Sequence, residues 1–206
     1  MLKSWTSYRT TTSSTESRND TGSFLPKKYG QGIAPDSGRG GVRSLTLGLI
    51  CSSRCPGAII LATHDYFRNL QKEGDCIVSG FHSPVERECL RILLDLRLPF
   101  VLVLARGAPQ RLPADVRSAI DAGLAECISP FSRSVVRPTT ATAYQRNMFV
   151  AEMSDSVLVP YASPGGKTEA LCTVLVANGK RLVTFESVAT QNLIALGATV
   201  IQSVTR

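Results

Sequence analysis

The sequence predicts an α/β fold: a doubly wound domain built around a mainly parallel sheet of about seven strands. From Leu45 onward, short apolar runs alternate with amphipathic stretches, which is typical of repeated βα units. Glycines or a serine–proline pair mark several of the boundaries between these stretches. The length of 206 residues, of which 43% are hydrophobic, suits one domain core with a tail.

The predicted strands are apolar runs of four to six residues. They cover residues 45–50, 75–79, 100–104, 125–129, 156–161, 181–185 and 199–202. The predicted helices between them cover residues 58–71, 84–95, 114–122, 141–153, 167–177 and 189–196. Ser83 followed by Pro84 is typical of a helix start, and Gly123, Gly179 and Gly197 stand where helices are expected to end.

Residues 1–43 differ in composition from the rest of the chain. They are rich in Ser, Thr and Gly, and their seven basic and three acidic residues contribute +4 to the net charge of +7. Because so few apolar residues cannot offset the entropy of ordering, we expect a disordered basic arm, followed by the domain at residues 44–206. The arm is either a solvated tail or a segment that attracts nucleic acid.

Charge and cysteine usage restrict the class of protein. A net charge of +7 favours polyanionic partners, and no apolar run is long enough to span a bilayer. The six cysteines form no C-x-x-C pair and mostly lie in apolar runs, so we interpret them as reduced thiols of a cytoplasmic protein. With two histidines and no paired cysteines, we expect no metal site and no cofactor.

Three strand-to-helix junctions carry the candidate binding residues. Ligands of open α/β sheets bind beyond the carboxyl ends of the strands, where helix N-termini present free backbone N–H groups. The first junction, residues 50–57, contains Ser53 and Arg54; the second, residues 78–84, contains Ser79, Gly80 and His82. The third, residues 163–169, contains Gly165, Gly166, Lys167 and Thr168. Together they predict an anion site, although glycine-rich turns also occur here for purely geometric reasons.

Arg146 and Asn147 are a polar pair on the predicted helix 141–153. Arg146 is either a solvated side chain or a fork donor to a phosphate or carboxylate, a geometry that a guanidinium supplies and an ammonium does not. Glu86, at the start of the predicted helix 84–95, is interpreted as a side chain at the rim of the pocket.

These motifs, in this order, resemble the Rossmann-like domain of the DprA/Smf family of DNA-processing proteins, whose superfamily includes the Lonely Guy phosphoribohydrolases. The resemblance covers residues 45–202. The family's Gly-Ser-Arg is Ser52-Ser53-Arg54 here, and the segment 79–86 is similar to a subgroup of short DprA-like proteins. The matching segments are Ser53-Arg54, Val78-Ser79-Gly80, Arg146-Asn147, Gly165-Gly166-Lys167-Thr168 and residues 192–198.

The resemblance implies a Rossmann-like domain that binds single-stranded DNA, forms a homodimer and loads a RecA-type recombinase during DNA uptake. We therefore expect a non-enzymatic protein that holds single-stranded DNA, or a nucleotide phosphate, at the strand carboxyl edge, where Phe81 and His82 could stack a base. Phe81 is more typical of a core residue, and His82 of an ordinary loop residue. The predicted binding residues are Ser53, Arg54, Ser79, Gly80, His82, Arg146, Asn147, Gly165, Gly166, Lys167 and Thr168.

Two alternatives use the same pocket. One is an N-glycosidase of the Lonely Guy type that acts on nucleoside monophosphates, with Arg146 offsetting charge and Glu169 stabilising an oxocarbenium-like carbon. The turn before Glu169 is shortened relative to that family, which rotates the side chain away from its expected direction. The other alternative is a sensor that binds a small nucleotide and signals to a partner.

Overall fold

The computed structural model describes residues 6–7, 45–70, 76–109 and 111–201, and in them eight strands form one sheet. The strands are β1 Thr6–Ser7, β2 Thr46–Leu49, β3 Cys76–Ser79, β4 Phe100–Val103, β5 Ala125–Ser129, β6 Ser156–Leu158, β7 Leu182–Phe185 and β8 Thr199–Ile201. The helices are α1 Gly57–Arg68, α2 Pro84–Leu96, α3 Ala114–Asp121, α4 Thr140–Glu152, α5 Lys167–Ala177 and α6 Gln191–Ala195. A single 3₁₀ turn, Val188–Thr190, precedes α6.

The order of strands across the sheet is β1-β5-β4-β3-β2-β6-β7-β8. Seven strands are parallel, and β1 adds to the edge of β5 in the antiparallel direction. The chain winds outward from β2 to β5, crosses back through α4 to β6, and then winds the other way to β8. The direction therefore reverses between β2 and β6, the position where doubly wound sheets bind their ligands.

Two apolar clusters, one on each face of the sheet, form the core. One joins the sheet to α1, α2 and α3 through buried side chains such as Phe67 and Ile92. The other joins it to α4, α5 and α6 through side chains such as Val150 and Leu193. Phe100 belongs to the first cluster and Val101 to the second, because successive strand residues point to opposite faces. Helices cover both faces, as the predicted fold requires.

Local signals place the helix ends. Ser83 is the N-cap of α2 and forms a capping box with Glu86, with Pro84 in the first turn. Gly123, Gly179 and Gly197 follow α3, α5 and α6 with φ values of 71°, 75° and 97°, a region that glycine enters without steric cost. The predicted helix starts and stops are confirmed at these positions.

The predicted fold class is confirmed, and every predicted strand and helix of the domain is present to within a few residues at its ends. Of the predicted arm at residues 1–43, the structure describes Thr6–Ser7, and the other residues lie outside the described part of the chain. None of the six cysteines, all within the described residues, forms a disulfide, and burial raises the pKa of Cys127 and of Cys172 to about 12. Within the described ranges, no helix is long and apolar enough to cross a membrane.

Candidate functional site

The first and third junctions meet at the point where the winding direction of the sheet reverses. The Ser52 N–H donates to the Tyr161 carbonyl at 3.0 Å, and the Ser163 N–H donates to the Ser52 hydroxyl at 3.1 Å. Ser52 is buried between the two loops. The loops after β2 and β6 are therefore held together, as the sequence predicts for one shared site.

Glu86 joins the first and second junctions. One carboxylate oxygen accepts from the Cys51 N–H at 2.8 Å, and the other accepts from His82 at 2.7 Å and from Ser83 at 3.3 Å. The side chain is buried and both oxygens are engaged, so its interpretation as a pocket-rim residue is wrong. Its structural role has a signal in the sequence, because Ser followed three residues later by Glu is the capping-box pattern.

Ser79, predicted as a binding residue, is used inside the fold. Its hydroxyl donates to the Leu49 carbonyl at 2.8 Å and accepts from the Phe81 N–H at 3.1 Å. The residue is completely buried. Ser79 therefore ties the ends of β2 and β3 together and presents no hydroxyl to a ligand.

Gly80, the next residue, lies directly beside the guanidinium of Arg146. A β-carbon at position 80 would coincide with the Arg146 guanidinium, so any other residue here must displace it. The second junction, which follows β3, therefore contacts α4. The predicted segments Val78-Ser79-Gly80 and Arg146-Asn147 meet at this point, as expected for one site. The requirement for glycine is one of space, since the backbone φ of Gly80 lies outside the left-handed region.

Arg146 is a buried cation, and within the described part of the chain no counter-charge contacts it. Its side chain is 5% exposed, and its Nε atom is buried without a hydrogen-bond partner. Among the residues that the structure describes, none forms an ion pair with it. Burial lowers the pKa of the guanidinium, and the charge of Glu86 opposes that shift from a longer distance. Since arginine stays charged in proteins, the fold holds an unmatched positive charge at this edge.

The two candidates for base stacking in the second junction, Phe81 and His82, lie in different environments. Phe81 is buried with φ of 46°, and its ring packs edge-to-face on Phe100 with 5.7 Å between centroids. The prediction that Phe81 stacks a base is therefore wrong, and the core interpretation is confirmed. His82 is exposed, and its backbone N–H is bonded to Glu86.

The third junction folds back onto Glu169. Its carboxylate accepts from the Asn192 amide and from the Gly165 N–H, both at 2.6 Å, and these bonds, in that order, lower the pKa of Glu169. Asn192 also donates to the Ala162 carbonyl at 3.0 Å, while its buried Oδ1 has no hydrogen-bond partner. Glu169 is thus held toward α6, on the opposite side of β2 from Gly80.

The start of α5 remains available to an anion. Gly166 is its N-cap and supplies no side-chain acceptor to the first-turn N–H groups. Lys167 lies on the solvent side, with its Nζ 3.5 Å from the Thr140 hydroxyl at the start of α4. Thr168 is half-buried behind it.

The remaining predicted residues differ in exposure. Ser53 and Arg54 are exposed in the first loop, and Asn147 is half-buried beside Arg146 on α4. Within residues 6–7, 45–70, 76–109 and 111–201, no group of three His, Cys, Asp or Glu side chains is placed to hold a metal ion. The arrangement is a set of hydroxyls, backbone N–H groups and cations at one edge, which is suited to binding phosphate.

The family model described as DNA recombination-mediator protein A matches residues 40–206. No curated protein sequence matches the chain.

Solved structures show the same fold at low identity. DNA processing protein A (DprA) from Streptococcus pneumoniae is 17% identical with a TM-score of 0.64, over 78% of this chain and 59% of that one. DNA processing protein A from Helicobacter pylori, whose structure concerns its single-stranded DNA binding mode, is 18% identical with a TM-score of 0.61, over 78% of this chain and 76% of that one. The molybdenum cofactor binding protein from Rippkaea orientalis is 13% identical with a TM-score of 0.55, over 79% of this chain and 90% of that one.

Proposed function

The chain belongs to the DNA recombination-mediator protein A family, a family of DNA-processing proteins, and on that premise we propose that it binds single-stranded DNA at the carboxyl edge of its sheet. A backbone phosphate of the strand occupies the position in front of Arg146. The observation that carries this proposal is the buried guanidinium, which no counter-charge contacts among the residues that the structure describes.

A buried charge without a partner is costly, since removal from water is compensated only by opposite charge or by hydrogen bonds. Glu86 is too occupied to serve as the partner, because its carboxylate oxygens already accept backbone N–H groups. A phosphate oxygen supplies both the charge and the acceptor that Arg146 lacks. The cost of burying Arg146 in the free protein is then recovered when the ligand binds.

Other groups at this edge extend the phosphate contact. Arg54, after β2, and Lys167, after β6, add exposed positive charge at the same edge, and Ser53 and Thr168 add hydroxyls. The loop glycines Gly165 and Gly166 leave the backbone at the start of α5 open to a close approach. Half-buried Asn147 and exposed His82 are assigned to contacts with a base or sugar. Such contacts bind the DNA backbone and do not depend on base sequence.

The experiment replaces Arg54 and Arg146 in turn with an uncharged residue and measures DNA binding by the folded variants. We expect Arg54→Ala to weaken binding of a labelled oligothymidylate, measured by fluorescence anisotropy, by about 1–3 kcal/mol. Arg146→Met, which nearly keeps the side-chain volume, is expected to weaken binding by a similar amount while stabilising the free protein by about 1 kcal/mol or more. Chemical denaturation measures that second effect.

Arg181→Ala is the matched control, because Arg181 is exposed just before β7, at the opposite edge of the sheet. It is expected to change neither the affinity nor the stability by more than about 0.5 kcal/mol. Unchanged affinity in a folded Arg54→Ala, Arg146→Met double variant contradicts the proposed site.

The family also supports finer proposals about partners. We propose that the protein acts in the cytoplasm as a homodimer and delivers single-stranded DNA to a RecA-type recombinase during DNA uptake. The chain spans 59% of the length of the Streptococcus pneumoniae chain and 76% of that of the Helicobacter pylori chain. Sedimentation velocity tests the dimer by measuring the mass of the protein in solution. Delivery is tested by measuring how much RecA-type protein co-sediments with single-stranded DNA in the presence and absence of this protein.

Glu169 favours a second candidate, an N-glycosidase of the Lonely Guy type. Its carboxylate is held in the turn before α5 by the Gly165 N–H and the Asn192 amide, and an ionised carboxylate at a fixed position is what stabilisation of an oxocarbenium-like centre requires. Release of adenine from adenosine monophosphate, followed by chromatography and lost in Glu169→Gln, supports this activity. A sensor is distinguished instead by nucleotide absorbance that stays with the protein through gel filtration at high salt.

A further inference from the structure

The loops after β4 and β5 present exposed arginines beyond the proposed phosphate site. Arg106 follows β4, and Arg133 and Arg137 follow β5. All three side chains are exposed, and no described acidic side chain forms an ion pair with any of them. No Asp or Glu occurs from residue 129 to residue 151, nor from residue 104 to residue 114. We call Arg106, Arg133 and Arg137 the basic loop surface.

Packing between the two loops holds this surface in place. The Gly107 N–H donates to the Val135 carbonyl at 2.8 Å, and the Ser129 hydroxyl donates to the Arg106 carbonyl at 2.6 Å. A β-carbon at Gly107 would lie 2.5 Å from the Ser132 carbonyl oxygen and 2.6 Å from the Arg133 Cα. The backbones that carry Arg106 and Arg133 are therefore in direct contact, and their charges occupy one surface.

The basic loop surface and the Arg146 site lie along the same edge of the sheet. Gly80 follows β3, which neighbours β4, which neighbours β5. At about 4.8 Å between neighbouring strands, the loop after β5 is roughly 10 Å from the loop that contacts Arg146. A single phosphate in front of Arg146 does not span that distance, whereas the phosphates of a strand of several nucleotides do.

We propose that the basic loop surface is a second contact for a polynucleotide backbone, which continues from the Arg146 site across the ends of β4 and β5. This inference rests on the proposed function and names its substrate class: an extended single strand rather than a small nucleotide. Exposed arginines on backbone-ordered loops suit phosphates spaced along a flexible chain, because each contact replaces condensed counterions.

The experiment compares two double variants with the same change in net charge. Arg106→Gln with Arg133→Gln removes charge from the basic loop surface, and Arg68→Gln with Arg181→Gln removes it from the opposite edge. Binding of an oligothymidylate of about 20 nucleotides, longer than most single-strand sites, is measured by anisotropy across a salt series. Thymidine monophosphate is measured in parallel by calorimetry or by competition.

We expect the basic loop variant to reduce the slope of log affinity against log salt by about 1.4, or about 0.7 for each lost phosphate contact. The control pair is expected to keep the wild-type slope, and the basic loop variant is expected to bind thymidine monophosphate like the wild type. Equal slopes for the two double variants overturn the second contact while the Arg146 site stands. If the basic loop variant lowers this slope and Arg146→Met leaves binding unchanged, the second contact is supported and the Arg146 site is overturned. A wild-type chain that does not bind the oligonucleotide overturns both.

Discussion

At the scale of single residues, Arg146 and Gly80 depend on each other. The missing side chain of Gly80 is the space that the Arg146 guanidinium occupies. The guanidinium is buried there, beside the second junction, and no described acidic side chain contacts it. Neither residue alone indicates a site, since glycine is common in such turns and arginine is common on helix surfaces. Their contact is what makes the pair specific.

Gly80→Ala is expected to weaken single-stranded DNA binding to about the level of Arg146→Met, a loss of roughly 1–3 kcal/mol, because the new methyl group must displace the guanidinium. The two changes should not be additive in a double-mutant cycle, as expected for residues in contact. Gly57→Ala is the matched control, because its β-carbon meets nothing within 4 Å. Full additivity, or wild-type affinity in Gly80→Ala, contradicts the dependence of one residue on the other.

At the scale of elements, Glu86 and Glu169 hold the strand-to-helix junctions in place through different sets of hydrogen bonds. Glu86 closes the capping box of α2 and also accepts the Cys51 N–H from the neighbouring loop, so it aligns the ends of β2 and β3. Glu169 closes the turn before α5 and reaches Asn192 on α6. Two carboxylates therefore pre-arrange loops that are expected to bind an anion, and each does so by hydrogen bonds within its own junction and to a neighbouring element.

The lowered pKa of Glu169 predicts a pH dependence. A carboxyl group with a lower pKa in the folded state stabilises the protein above its unfolded pKa, and that contribution is lost as the pH falls through the folded value. We expect Glu169→Gln to lower the melting temperature at neutral pH. The NH₂ group of the glutamine would face another donor, either the Asn192 amide or the Gly165 N–H, so one of the two hydrogen bonds is lost. The difference from wild type should shrink as the pH falls into the acid range. Thermal unfolding at several pH values measures this; a difference that grows toward acid contradicts it.

At the scale of the whole molecule, the basic charge is divided between the domain and the first 43 residues. The arm carries +4 of the net charge of +7 by sequence, while the edge of the domain carries the Arg146 site and the basic loop surface. Both could attract a polyanion. The buried Arg146 favours the domain as the place where a phosphate is held, with the arm adding non-specific attraction.

A chain shortened to residues 44–206 is expected to keep its fold, because both core clusters consist of residues within that range. It should still bind a single-stranded oligonucleotide. The slope of log affinity against log salt concentration should be about −0.7 for each remaining phosphate contact. Anisotropy of both chains across a salt series measures this. Binding that is confined to the full-length chain assigns the affinity to the arm and contradicts the domain site.

The amino-acid sequence by itself determined the fold class, the seven parallel strands and the helix ends. These depend on apolar periodicity, on capping residues such as Ser83 and on glycines such as Gly179, and all of them are local properties of the chain. The junctions that meet at the edge of the sheet were predictable as well, since parallel strands place their carboxyl ends together.

Only the tertiary structure decided what each polar or aromatic group at that edge does. Ser79, Glu86 and Phe81 were candidates for the pocket, yet their contacts lie inside the fold, with Leu49, Cys51 and Phe100. Arg146 could have been a solvated arginine, yet it is buried against Gly80. The physical reason is that burial and hydrogen-bond satisfaction depend on partners from distant parts of the chain, which periodicity and spacing do not specify.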